Sequence, residues 1–160
     1  MRIGINGMGR IGRLALRAAL GAADRQGDDP RAGNRLDVVH LNEIKGGAAA
    51  TAHLLEFDSM QGRWRGGIAS AGEDAVTIGE RRLSFSAAGE PGDISWGDLG
   101  VDVVLECTGK ILTPATLEGH LKRGAKRVIV AAPVKDPSVL NVVVGVNEHL
   151  YDPAVHPIVT

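Results

Sequence analysis

Three glycines near the start of the chain, Gly7, Gly9 and Gly12, have the spacing Gly-x-Gly-x-x-Gly. In such a turn the first glycine permits a tight bend and the second lets the backbone approach a phosphate. The third lets a new helix pack closely on the preceding strand. Backbone N–H groups at the start of that helix, and the positive end of its dipole, then face the phosphates. The pattern predicts a site for the pyrophosphate of a dinucleotide.

The flanking residues support this interpretation. They are needed because a chain with 22 glycines can contain the Gly-x-Gly-x-x-Gly spacing by chance. Ile3 and Ile5 precede the motif as in a strand, and residues 10–20 follow it as a helix. The apolar positions at helical spacing are Ile11, Leu14, Ala15, Ala18 and Ala19. The alternative is an ordinary turn between a strand and a helix.

Length and composition predict one α/β domain over residues 1–160. The chain has 160 residues, of which 44% are hydrophobic, enough for one core.

The formal charge of −1 argues against a general binder of nucleic acid or of membrane surfaces. No apolar run approaches the roughly 20 residues of a membrane span, and the sequence enters a strand directly rather than a secretory leader. A single cysteine excludes an internal disulfide and suits a reducing compartment. We therefore expect a cytoplasmic protein.

Strand-like segments alternate with helical ones, which predicts a Rossmann-type, doubly wound and mainly parallel sheet. The predicted strands are residues 37–41, 102–106, 126–130 and 142–145, and the later predicted helices are residues 48–57 and 114–123. Residues 21–35 are polar and glycine-rich, so we expect an exposed connection there. Residues 75–78 and 81–85 flank Gly79-Glu80 and predict an antiparallel hairpin as an excursion from the parallel scheme.

Asn42-Glu43 stands at the end of the second predicted strand, where dinucleotide sites place an acid against the ribose hydroxyls. Its separation from the glycines exceeds the usual ~20 residues, and the polar connection accounts for the excess. Glu43 would repel a ribose 2′-phosphate and favour NAD over NADP. Lys45 is close enough to weaken that repulsion, so NADP stays possible. The alternative is a solvated carboxylate in a loop.

Two later turns, Cys107-Thr108-Gly109 and the one that begins at Ala131, follow predicted strands. Ligands bind at the carboxyl ends of such strands, so both turns should border the cofactor. Cys107 has no recognisable partner base and is interpreted as a small buried residue rather than a nucleophile.

The histidines show no spacing typical of metal ligands and no evident acid partner, so no metal site is predicted. We expect each of them to lie on the surface or to fill the core. They are His40, His53, His120, His149 and His156.

Several short motifs, taken together and in this order, resemble the glyceraldehyde-3-phosphate dehydrogenase family over essentially the whole chain. They are residues 5–14 (INGMGRIGRL), 42–43 (NE), 57–62 (FDSMQG), 96–98 (WGD), 106–109 (ECTG), 124–129 (GAKRVI) and 145–147 (GVN). The resemblance implies a glycolytic, NAD-dependent oxidation of an aldehyde phosphate through a cysteine thioester. Hydride passes to NAD, inorganic phosphate attacks the thioester, and the complete enzyme is a homotetramer.

The resemblance also implies roles for single residues. Arg10 and Ile11 would contact the pyrophosphate through their backbone, Glu43 would hold the ribose, and Thr108 with Gly109 would border the nicotinamide. The full set of predicted cofactor-binding residues is Asn6, Gly7, Gly9, Arg10, Ile11, Gly12, Asn42, Glu43, Thr108, Gly109 and Ala131.

In that family a segment like residues 156–160 (HPIVT) leads into a Ser-Cys-Thr-Thr stretch with the catalytic cysteine. This sequence stops before such a stretch. We therefore expect the chain to lack the catalytic domain and every catalytic residue, and to bind cofactor without catalysing the reaction.

Three departures from the family pattern predict weaker affinity or shifted specificity. Glu43 replaces the usual Asp, Ala131 stands where Ser or Thr is common, and the arginine usually near the adenine is replaced around Gly89.

Residues 41–47, with 48–64, resemble the arsenic-resistance branch of the family, in which arsenate takes the place of phosphate. Two alternatives to a glyceraldehyde-3-phosphate dehydrogenase are an erythrose-4-phosphate dehydrogenase and a stand-alone NAD-binding or sensing module.

Overall fold

The computed structural model describes residues 1–24, 36–64, 68–70 and 72–160. In chain order its elements are β1 (Arg2–Asn6), α1 (Arg10–Asp24), β2 (Asp37–Asn42), α2 (Gly47–Glu56), β3 (Phe57–Asp58), β4 (Gly62–Arg63), β5 (Ile68–Ser70), β6 (Ala75–Ile78), β7 (Arg81–Ser86), β8 (Val103–Glu106), α3 (Pro114–Lys122), β9 (Arg127–Val130) and β10 (Ile158–Val159). Short 3-10 helices cover Pro91–Asp93 and Glu148–Leu150.

Within the described ranges, eight strands form one sheet in the order β10-β9-β8-β1-β2-β7-β6-β5. The strands from β10 to β7 in that order pair in parallel, while β6 pairs antiparallel with both of its neighbours, β7 and β5. This confirms the predicted Rossmann-type α/β class with its hairpin excursion. The chain builds outward from β1 on one side through β2, then returns to the other side of β1 at β8. Such a reversal opens a crevice at the carboxyl ends of the strands, where ligands bind.

The central strands are apolar on both faces because helices or loops cover both. Ile3 and Ile5 pack in one cluster with Leu16 of α1 and Leu55 of α2. Gly4 lies between them and faces the opposite side, where the indole of Trp96 occupies the space that a Cβ would need. On that second side, Trp96 packs with other buried residues, including Val104 of β8 and Ala125.

The first helix is longer than the sequence predicts. It continues to Asp24, so residues 21–24 are helical rather than part of a connection; Ala22 and Ala23 are strong helix formers. The rest of the predicted connection, residues 25–35, lies outside the described residues. The buried positions of α1 also differ from the predicted apolar stripe, since Leu16 and Leu20 are in the core while Ile11 is 49% exposed.

Helix α2 ends one residue earlier than predicted. Phe57 is in an extended conformation and begins β3, which pairs antiparallel with β4. This small sheet and β5 were not predicted, since each has three residues or fewer and offers too little periodicity to detect.

The strand predicted at residues 142–145 is wrong. The backbone there turns, with the N–H of Asn147 bonded to the carbonyl of Val143 at 3.0 Å and Gly145 at φ +87°. The Asn147 side chain accepts from the Val143 N–H at 2.6 Å, and Val144 is 86% exposed. Turn-forming Gly and Asn therefore outweigh the apolar run. The position beside β9 is taken by β10 instead.

A histidine is buried between β2 and β7. His40 Nδ1 lies 2.8 Å from Ser84 Oγ, and its Nε2 lies 2.9 Å from Ser86 Oγ. The ring meets Trp96 edge-on with centroids 5.5 Å apart. Burial lowers the pKa of His40 from 6.5 to about 4, because the surroundings disfavour its charged form.

This burial predicts a loss of stability in mild acid. Between pH 6.5 and 4, His40 takes up a proton in the unfolded chain but not in the folded protein. The free energy of unfolding therefore decreases as the pH is lowered. The loss over that window should approach ~3 kcal/mol from this residue. Urea unfolding at pH 7 and pH 4.5 measures it. We expect His40→Gln to flatten the dependence and exposed His149→Gln to retain it; an unchanged slope in His40→Gln would refute the assignment.

Candidate functional site

The glycine turn connects β1 to α1. Gly7 has φ +92°, and its N–H donates to the carbonyl of Asn42 at 2.9 Å. A Cβ on Gly7 would lie 2.7 Å from the backbone nitrogen of Thr108, and a Cβ on Gly12 would overlap the carbonyl oxygen of Gly7. These two positions need glycine because the first bends the chain and the second brings the helix against the bend.

Gly9 differs from the other two glycines because nothing inside the described protein occupies its side-chain direction. Apart from Gly9 itself and its two chain neighbours, no residue has an atom within 4 Å of the position its Cβ would take, and its φ is not positive. Gly9 also lines the cleft at the carboxyl ends of the strands. The open space at Gly9 therefore adjoins the cleft.

The start of α1 offers free backbone donors beside Gly9. The first helical hydrogen bond runs from Arg13 N to Gly9 O at 3.1 Å. The N–H groups of Arg10, Ile11 and Gly12 consequently have no partner within the helix. Together with the helix dipole they favour an anion such as a phosphate.

Two side chains hold the peptide groups of Met8 in the middle of the turn. Glu43 Oε2 accepts the Met8 N–H at 2.9 Å, and Arg13 donates to the Met8 carbonyl at 3.0 Å. The other oxygen of Glu43 accepts the N–H of Lys45 at 3.1 Å. Glu43 is therefore an ordered part of the turn rather than a freely solvated carboxylate.

Arg13 is held in turn by Asp58, at 3.1 Å, in a largely buried ion pair. The backbone N–H groups of Gln61 and Met60, followed by the guanidinium of Arg13, lower the pKa of Asp58 to about 2. Asp58 stays ionised at neutral pH and links the glycine turn to the segment that follows α2.

The cleft gathers residues from the ends of four neighbouring strands. Six of the predicted cofactor-binding residues line it: Asn6, Gly7, Gly9, Asn42, Glu43 and Thr108. The other lining residues are Ile44, Lys45, Ala88, Gly89, Cys107, Lys110 and Ile111. Of these, Ile44, Ala88, Lys110 and Ile111 were missed. Lys110 was detectable, because it directly follows the predicted turn after β8.

The other predicted site residues lie around the cleft rather than in its wall. Arg10 and Ile11 are exposed on the first turn of α1, and Gly12 is buried beneath it. Gly109 is exposed at φ +67° just past Thr108. Ala131 follows β9 and is exposed, with its N–H bonded to the Glu106 carbonyl at 2.9 Å. Their contacts with a cofactor stay predictions.

The cysteine in the cleft wall is poorly suited to nucleophilic chemistry. Burial, and secondarily the charge of Glu106, raises the pKa of the Cys107 thiol to about 12. The thiol is therefore protonated at neutral pH, whereas a cysteine nucleophile reacts as the thiolate.

Among the residues that the structure describes, no three side chains of His, Cys, Asp or Glu come together as a candidate metal site. No helix in those residues combines the length and apolar character needed to cross a bilayer.

The donors at the start of α1, the open space at Gly9 and the acid at the end of β2 surround one crevice of a doubly wound sheet. The fold and the cleft define a dinucleotide-binding domain of the Rossmann type.

Comparison with known families makes this class specific. A family model described as "Glyceraldehyde 3-phosphate dehydrogenase, NAD binding domain" matches residues 1–114. The chain belongs to the glyceraldehyde-3-phosphate dehydrogenase family, and the matched part is its NAD-binding domain.

Curated relatives agree with the family assignment. The chain is 54% identical over its full length to "Glyceraldehyde-3-phosphate dehydrogenase 3" of Nostoc sp., and covers 44% of that protein. It is 40% identical over its full length to "Glyceraldehyde-3-phosphate dehydrogenase" of Streptomyces coelicolor, again covering 44%. Over 95% of its length it is 42% identical to the enzyme of Mycobacterium avium, of which it covers 43%. The chain thus spans less than half the length of these relatives.

Proposed function

We propose that this chain is the NAD-binding part of a phosphorylating glyceraldehyde-3-phosphate dehydrogenase. The observation that carries the proposal is the empty side-chain direction of Gly9, beside the free N–H groups that begin α1. A pyrophosphate needs such a space together with such donors. When bound, NAD supplies the hydride acceptor, and the residues of this chain hold and orient it.

The proposed roles follow the geometry of the cleft. The N–H groups of Arg10 and Ile11 bind the pyrophosphate, and Glu43 accepts hydrogen bonds from the adenosine ribose. Glu43 fits this role because its carboxylate already lines the cleft next to the turn. Thr108 and Gly109, which follow β8, border the nicotinamide.

The aldehyde chemistry is assigned to residues outside this chain. Cys107 is the one cysteine of the sequence, and its raised pKa makes it unsuitable as the nucleophile that forms a thioester. The proposed substrates of the whole protein are an aldehyde phosphate and inorganic phosphate, with arsenate as an alternative acceptor. A cytoplasmic homotetramer is proposed on the family resemblance.

Titration with both cofactors tests the proposal. We expect calorimetry to show tighter binding of NAD than of NADP, because Glu43 would repel the 2′-phosphate. The preference should be about tenfold or more. Glu43→Gln retains an oxygen acceptor for the Met8 N–H, loses the exposed acceptor of the Lys45 N–H and loses the charge. It should therefore narrow the preference for NAD over NADP. Tighter binding of NADP would contradict the role of Glu43, and failure to bind either cofactor would reject the proposed function.

A further inference from the structure

A buried carboxylate lies beneath the floor of the cleft. Glu106 is the last residue of β8 and is 1% exposed. Its Oε2 accepts from Asn6 Nδ2 at 2.5 Å and from His120 Nε2 at 3.1 Å. Its Oε1 accepts the backbone N–H of Thr108 at 2.8 Å, and also the Thr108 hydroxyl. Four donors converge on one acceptor, as a carboxylate can accommodate.

One of these hydrogen bonds ends a relay that crosses the sheet. The backbone N–H of Ala88 donates to Asn42 Oδ1 at 2.8 Å, and Asn42 Nδ2 donates to Asn6 Oδ1 at 2.7 Å. Asn6 Nδ2 then donates to Glu106. A backbone N–H can only donate, so it determines the orientation of both amides. The last member of the relay must therefore be an acceptor.

A second relay reaches Glu106 from the other side. The indole N–H of Trp96, which can only donate, bonds to His120 Nδ1 at 3.0 Å. His120 is consequently the neutral tautomer with its proton on Nε2, and that proton points at Glu106. Trp96 and His120 are both fully buried and do not line the cleft. This pairing of His120 with an acid 14 residues away was not predicted.

We infer that Glu106 is a positioning residue for the cofactor: it orients the cleft-lining groups of Asn6, Asn42 and Thr108 without contacting the ligand. The inference rests on the proposed NAD-binding function. In Glu106→Gln, an amide NH2 in place of Oε2 would oppose the N–H groups of Asn6 and His120, and in place of Oε1 it would oppose the backbone N–H of Thr108. Relief at Asn6 would require the amides of Asn6 and Asn42 both to flip, and the Ala88 N–H would then face a donor. The cleft would present the wrong hydrogen-bonding groups.

Glu106→Gln tests this inference, because it keeps the shape and removes the charge. We expect NAD affinity to fall about tenfold, since buried polar groups at the cleft lose their partners. Calorimetric titration is done well below the thermal transition, which is recorded separately for each variant. The matched control is Asp102→Asn. Asp102 accepts from the Arg2 N–H and pairs with Lys126 at the opposite end of the sheet. This control should lower stability and leave NAD affinity unchanged.

A second pair of variants decides the question even if Glu106→Gln does not fold. His120→Gln retains an N–H donor toward Glu106 and should bind NAD within about twofold of the unmodified protein. His120→Leu removes the donor and should bind NAD several times more weakly, although His120 cannot reach the ligand. Unchanged NAD affinity in folded Glu106→Gln, or in His120→Leu if Glu106→Gln is unfolded, would overturn the inference. Failure of the unmodified protein to bind NAD would instead reject the proposed function.

Discussion

Replacing Gly9 with leucine is expected to abolish most NAD binding while the protein stays folded. The side chain would enter the space that we assign to the pyrophosphate, since no residue beyond the two chain neighbours of Gly9 lies within 4 Å of its Cβ position. Loss of one or two charge-assisted hydrogen bonds, each contributing about 1.5–3 kcal/mol, corresponds to roughly a hundredfold weaker binding. Calorimetric titration gives the affinity, and thermal unfolding without ligand shows whether the fold is retained.

Gly92→Leu is the matched control for this experiment. Gly92 also has no atom within 4 Å of its Cβ position and no positive φ, but it lies in a 3-10 helix outside the cleft lining. Its variant should bind NAD normally. If Gly9→Leu bound NAD as tightly as Gly92→Leu, the assignment of the pyrophosphate to the start of α1 would be wrong.

Gly12→Ala is expected to have the opposite pattern, with a large effect on stability. The added methyl group would overlap the carbonyl oxygen of Gly7, a backbone atom that cannot move without shifting the turn or α1. Overpacking of this kind costs about 3 kcal/mol. At an ordinary helix position, replacing Gly with Ala stabilises the helix by about 1 kcal/mol. A loss of stability in Gly12→Ala would therefore by itself indicate the overlap with Gly7. Urea unfolding measures it.

Gly9→Ala is the natural comparison for Gly12→Ala, because the same methyl group is added three residues away in open space. We expect its free energy of unfolding to stay within about 1 kcal/mol of that of the unmodified protein, because Gly9 is the N-cap of α1, where Ala is only moderately less favourable than Gly. A Gly12→Ala variant as stable as Gly9→Ala would show that the helix can move away from the turn. The two glycines of one motif would then lack the separate roles that we assign to ligand approach and to packing.

The parts of the molecule that were predictable depend on local signals. The apolar run before Gly7 and the helical spacing after it specify β1 and α1, and a glycine-containing turn specifies the hairpin around Gly79. These signals act over a few residues, so they can be detected in the sequence. The grouping of six of the eleven predicted cofactor residues at one edge of the sheet was predictable in the same way, because each of them ends or follows a strand. Their contacts with a cofactor stay predictions.

The wrong predictions arise where a local sequence pattern is outweighed by turn geometry or by the position of the segment in the tertiary structure. Residues 142–145 have a strand-like composition, but turn geometry at Gly145 and the pairing of β10 with β9 exclude them from the sheet. Ile11 has the spacing of a core residue and is exposed, because the first turn of α1 lies at the open end of the sheet.

The amino-acid sequence alone therefore specified the class of fold, the glycine turn and the edge of the sheet at which the cleft lies. The buried relays to Glu106 depended on tertiary structure. Asn6 and Glu106 are 100 residues apart and meet because β1 and β8 pair in one register. His120 reaches the same carboxylate from the helix that follows β8. Hydrogen-bond partners across a sheet are selected by strand order and register, and neither is encoded in the periodicity of a single segment.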